Sequence, residues 1–272
     1  MLPDWLLPDI PPDTPLWLYI ACAAGAVFII GVAKAGFGGG IGVVAVPLMA
    51  VALPTDRTIG VILPVLIFAD LFSVRHHRGN ESRPHLRWLL VGAILGIIAG
   101  TLILWWWQTS GVLDFALNLA IGTMCLIFVA IQCYRLAGGH VPHISPRPIA
   151  GRIAGFLAGF VSTLTHAAGP VISIYLLEQR LAKKILVGTA VMFAFAGNLL
   201  KLPTYFGLQL IDPVTLIQSL WCLPLVPLGT WTGYWMHTRI NEKAFTIIMY
   251  LGAAAAAAHM LYKAILQGAP AM

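Results

Sequence analysis

AKAGFGGGIGVV, residues 33–44, interrupts a long apolar run with Gly36, Gly38, Gly39, Gly40 and a lysine, Lys34. Glycine is the poorest ordinary helix former, about 1 kcal/mol per residue behind alanine. A lysine inside a bilayer is costly. A helix that breaks here and sets a charge beside the break implies a polar cavity at membrane depth, because open backbone is tolerated there only where it lines one.

The surrounding composition makes this a membrane question. The 272 residues are 59% hydrophobic and 10% charged, whereas soluble domains carry about 25% charged residues. We read 1–272 as a single transmembrane domain. The opening MLPDWLLPDIPPDTP has no basic region and does not read as a signal peptide. Cys22, Cys125, Cys133 and Cys222 stand singly, without metal or redox spacing. No cofactor or nucleotide motif is present, and no metal site is expected. The net charge of +6 fits basic loops on one side of a bilayer rather than a nucleic-acid partner.

Ten apolar segments follow, near 16–34, 41–53, 58–74, 88–107, 113–133, 149–167, 170–179, 184–202, 213–235 and 244–265. Eight are long enough to cross ~30 Å of hydrocarbon. Segments 41–53 and 170–179 reach only ~20 Å and ~15 Å at helical rise. If the N-terminus is outside and all ten alternate, the inner loops hold 12 Lys and Arg and the outer side holds two, Arg57 and Lys263. That asymmetry sets the orientation, with both termini periplasmic, and it requires each short segment to reverse the chain.

The pattern long, short, long, long, long occurs twice, over 15–134 and 148–266. A shift of 128 residues places Gly31 on Gly159, Gly60 on Gly188 and Asp70 on Asn198, with seven identities across residues 26–74. The Arg-rich loop 75–87 then corresponds to 203–213, which has no Lys or Arg, and QTSG at 108–111 to the basic HTRINEK at 237–243. Corresponding loops lie on opposite sides, which predicts an all-α polytopic protein of two inverted five-segment repeats, each with a short broken helix. The second half carries its own break in STLTHAAGPVISIYLL, residues 162–177. Both breaks precede the short helices. Their N-termini should meet near mid-membrane and offer free N–H groups and dipole charge to an anion.

KAGFGGGIGVVAVPL resembles the first-half glycine motif of the TauE/SafE sulfite exporter family. GFLAGFVSTLTHAAGPVISIYLL, with VGTAVMFAFAGNLLKLPTYFG, resembles its second-half motif. Members often carry a Gly-Gly pair before the second-half proline, where this chain has Ala168-Gly169-Pro170. The resemblance implies a bacterial inner-membrane transporter of small, often sulfur-containing anions such as sulfite, thiosulfate or sulfoacetate.

The expected anion site joins Lys34, Gly36, Phe37, Gly38, Gly39, Gly40 and Ile41 to Thr165, His166, Ala167, Ala168, Gly169 and Pro170. Asn198 and Lys201 stand nearby. Lys34 either lines the site or snorkels to the headgroups. Lys201, ~25 Å along its span from Lys184, faces the same alternatives; Asn198 and Lys201 share a helix face at i and i+3. Asp70 is either an ion-pair partner, with Arg75 five residues on, or a proton site. His166 is a structural histidine, a donor to the anion or a proton carrier. The partners expected are a small anion and the lipid bilayer; oligomeric state does not follow from the sequence. Two other classes stand beside a secondary transporter. One is an anion channel. The other is an intramembrane hydrolase built on Ser162 and His166, which lacks the third member of a triad.

Overall fold

The computed structural model describes residues 14–34, 41–139, 146–239 and 242–267. Among these the chain is helical: α1 (Leu16–Lys34), a 3₁₀ turn (Ile41–Val44) running into α2 (Ala45–Ala50), α3 (Thr55–His77), α4 (Arg83–Thr109), α5 (Leu113–Leu136), α6 (Pro148–Thr165), α7 (Ala168–Glu178), α8 (Lys183–Gly207), α9 (Pro213–Cys222), α10 (Leu225–Arg239) and α11 (Glu242–Gln267). Six of them, α1, α3, α4, α5, α6 and α8, are long and apolar enough to cross a membrane. The protein is an all-α polytopic membrane protein.

Local chemistry explains most boundaries. Proline lies in the first turn of α4, α6 and α9, where its missing N–H costs nothing. Asp212 caps α9 by accepting from the Thr215 amide while Thr215 returns a bond to the Asp212 amide, a reciprocal box that satisfies two orphan donors. The ninth apolar segment, expected as one span, is two helices bent by 42° at residues 223–224. Pro224 interrupts the hydrogen-bond ladder there.

The helices pair as α1 with α10, α4 with α6, α3 with α8 and α5 with α11. The α4–α6 seam is set by glycine. A methyl group on Gly92 would lie 1.9 Å from the Arg152 carbonyl oxygen, and one on Gly155 would lie 2.0 Å from that of Leu89. The two backbones therefore touch, as small residues permit between membrane helices. Gly31 likewise lets α1 close on the Val226 and Gly229 backbone of α10. Large apolar side chains such as Leu95, Leu102, Trp105 and Trp106 point outward, as lipid contact requires.

Short α2 and α7 do not span. The break between α6 and α7, at His166 and Ala167, lies beside a cavity that α1, α3, α6 and α8 help to wall.

Candidate anion site

The cavity has a volume of about 180 Å³ and is walled by α1, α3, α4, α6, α7 and α8. Its polar side chains are Lys34, Ser162, His166, Ser173, Asn198 and Lys201. From Lys201 the cavity follows α8 back to Leu186 and Val187, 15 residues or ~22 Å toward the Lys183 end.

The break after α6 is made by His166. Its φ of 55° is left-handed, a conformation bulky residues rarely hold unless other contacts fix them. Three groups hold it. Nε2 lies 2.9 Å from the Ile59 carbonyl oxygen, Nδ1 lies 3.1 Å from Lys201 Nζ, and the Tyr205 hydroxyl lies 3.4 Å from Nε2. A carbonyl oxygen only accepts, so Nε2 carries the ring proton and Nδ1 accepts from the lysine ammonium. Ile59 sits five residues before Pro64, next to Gly60, whose carbonyl loses its helical donor to that proline.

Lys201 is 1% exposed. It donates to the carbonyl oxygen of Ser162 at 3.2 Å and to the Ser162 hydroxyl at 2.9 Å. A cation thus sits on the C-terminal end of α6, where the helix dipole favours it. The sequence allowed Lys201 to snorkel; instead it turns inward to the break. Asn198, one turn earlier, donates to Asp70 at 2.7 Å. Asp70 is fully buried and forms an ion pair with Lys34. The ion pair anticipated for Asp70, within its helix or between helices, is made with Lys34 on α1.

The charges can be counted. Lys34 and Asp70 offset one another. Lys201 is bonded to a hydroxyl, a carbonyl and an imidazole, all neutral, so in its protonated form it supplies a positive charge at the cavity wall. Beside it α7 begins with Ala168 and Gly169, both on the cavity wall, and no side chain caps that end. First-turn amides of a helix have no partner within it, so they add donors and partial positive charge. Thr165 turns back to the Val161 carbonyl and takes the Ala167 amide; Pro170 is buried in the first turn of α7. Gly36, Phe37, Gly38, Gly39 and Gly40 lie outside the described residues, as does the Ile41 side chain. Lys34 and Gly42, which flank them, both line the cavity.

Tyr205 escaped the sequence reading. It is fully buried and donates to the Thr163 carbonyl at 2.9 Å. Its spacing from Asn198 and Lys201 was the available signal, since i, i+3 and i+7 share a helix face. Ser162 and His166 do not form a dyad; each is hydrogen-bonded to Lys201.

A bundle of membrane helices around a cationic cavity fed by a helix break is the architecture of a membrane carrier. The family profile for the sulfite exporter TauE/SafE matches residues 23–260, and the chain belongs to that family. It is a membrane transporter of the sulfite exporter type and not an enzyme. No curated protein and no solved structure matches the chain significantly.

Proposed function

We propose that the protein carries a small anion, a sulfur oxyanion or an organosulfonate of the sulfite or sulfoacetate type, across the bacterial inner membrane. The anion sits between Lys201 and the first turn of α7. The observation that carries this reading is Lys201 itself: a buried ammonium on the cavity wall whose hydrogen-bond partners are neutral. A single excess positive charge with oriented N–H donors suits pyramidal or tetrahedral oxyanions and suits a cation or a sugar poorly.

The 12 basic residues on one side and the two on the other orient the chain with both termini in the periplasm. The cavity then runs toward the cytoplasm, because it follows α8 to its Lys183 end. Two inverted repeats, 15–134 and 148–266, are supported by reciprocal contacts. Gly60 of α3 lies against the Leu210 carbonyl beyond α8, and Gly188 of α8 lies against the Asn80 carbonyl beyond α3.

Export of an anion from an inside-negative cell is driven by the field, about 2.3 kcal/mol per charge at ~100 mV. Import must oppose it and needs a coupled cation, for which Asp70 and His166 are the proton-site candidates. Flux of sulfite, thiosulfate and sulfoacetate into liposomes holding the purified protein tests the reading. Saturable exchange of at least one of them, lost in Lys201→Met, is the expected result. Equal flux in the variant removes the anion site, and large unsaturable currents would make the protein a channel.

A further inference from the structure

We infer that the anion and one proton load the site together, the proton going to His166 Nδ1. This rests on the anion site proposed above and fixes which of its two candidate groups takes the proton. In the structure Nδ1 accepts from Lys201 Nζ at 3.1 Å while Nε2–H donates to the Ile59 carbonyl oxygen. The imidazole is therefore neutral as long as the lysine is charged. A proton added to Nδ1 in this geometry would set two donors and two positive charges against each other. An anion oxygen placed between them changes that. Both Nζ–H and Nδ1–H can then donate to the oxygen, and its charge offsets the second positive charge. The step is a proton transfer alone: an N–H bond forms at Nδ1 with a proton drawn from the buffered solution through the water that enters with the anion, and it breaks when the anion leaves and the proton returns to solution.

The groups around His166 support this assignment. From α8 it faces Lys201 and Tyr205, from α3 the Ile59 carbonyl, and from its own helix Ser162 and Thr163 through the bonds of Lys201 and Tyr205. Among the described residues Lys201 is the charged group acting on it directly; Lys34 and Asp70 act on Lys201 in turn. Asp70 is committed elsewhere. One carboxylate oxygen takes the Lys34 ammonium and the other the Asn198 amide, so protonating it would break an ion pair without meeting the anion.

Binding linkage gives the readout, since coupling between two ligands is reciprocal. Methanesulfonate and sulfoacetate do not themselves titrate near neutral pH and serve as probes. Calorimetry of the purified protein in buffers of different ionisation enthalpy counts the protons taken up per anion, between about pH 6 and about pH 8. The expected result is close to one proton per anion, with affinity falling about tenfold per pH unit above the histidine's titration. His166→Asn keeps a residue that tolerates a left-handed backbone; it should still bind at low affinity with no proton uptake and no pH slope. Binding without proton uptake in the unaltered protein, or uptake that survives in His166→Asn, overturns the co-loading and leaves the anion site standing. Absence of binding by both probes together with absence of flux of every anion tested overturns the site and this inference with it.

Discussion

Asn198 donates its amide to the Asp70 carboxylate at 2.7 Å, and the two residues stand 128 positions apart. The same shift aligns the two halves of the chain by sequence. The inverted repeats proposed above, with a two-fold axis between equivalent positions, would account for such a contact. Cys125 and Ala253, also 128 apart, meet in the same way, thiol to carbonyl oxygen at 3.6 Å. The halves are thus tied through a polar pair beside the cavity and a small apolar one between α5 and α11.

Asp70→Asn should destabilise the protein strongly. It leaves the Lys34 ammonium beside a neutral amide, and stranding one member of a buried pair costs about 3–5 kcal/mol. The exchange Asp70→Asn with Asn198→Asp restores a carboxylate to the same contact. Melting temperatures in detergent should fall for the single change and recover in large part for the double. A double variant no more stable than the single one would show that Lys34 does not need the charge.

Gly197 lies on the cavity wall, and a methyl group there meets nothing within 4 Å. Gly197→Leu should therefore fold normally and fill the anion's space. Flux should drop at least tenfold with the melting temperature close to that of the unaltered protein. Undiminished flux would place the path elsewhere.

Gly155→Ala should act in the opposite sense. Its methyl group would stand 2.0 Å from the Leu89 carbonyl oxygen, a backbone contact that no rotamer relieves. Overpacking of a tight seam costs about 1–3 kcal/mol and sometimes more. Lower yield of monodisperse protein and a reduced melting temperature are expected, and an unchanged melting curve would contradict the seam.

Orientation is tested by labelling. Cys133 is exposed, whereas Cys22, Cys125 and Cys222 are buried, so Cys133 is replaced first. Single cysteines at Gly79 and Gly111, both at exposed turns, should then react from opposite sides of the membrane. Gly79 should be reached only from the cytoplasm. Reaction of both from one side would reverse the charge-based assignment.

Asp212 gives an acid-dependent term. Burial works to raise its carboxyl, but the Thr215 amide and Arg57 outweigh it and hold it below the usual carboxylate range. A depressed folded value means the unfolded chain binds more protons in the window between the two. The stabilisation is therefore complete above about pH 4, the unfolded value, and fades as the pH falls through the folded one. Arg57→Met should narrow that window and shift the onset of acid unfolding upward. An unchanged onset would mean the Arg57–Asp212 pair is too exposed to count.

Much of the fold was legible because hydropathy and chain reach are one-dimensional. The segment 16–34 is α1 to the residue, and the short lengths of 41–53 and 170–179 marked the two elements that do not span. The bend at 223–224 was not read, because an apolar run with a proline inside is also how a continuous membrane helix looks. The direction of Lys201 was hidden for a different reason. Counting residues along α8 gives depth but not rotation about its axis, and the partners that hold the ammonium lie 35 and 39 positions away on another helix. His166 could be flagged by the break around it, yet its tautomer follows only from a carbonyl on α3.

The glycine seams carry a mechanical consequence. α4 belongs to the first half of the chain and α6 to the second, and their backbones are pressed together at Gly92 and Gly155. α1 and α10 are joined across the same divide at Gly31. Backbones in contact have no side chains between them to slide or tilt on. Pulling the two sequence halves apart would therefore mean breaking both seams. A motion that kept the seams would draw each moving body from both halves, with α4 and α6 travelling as one rod and α1 and α10 as another.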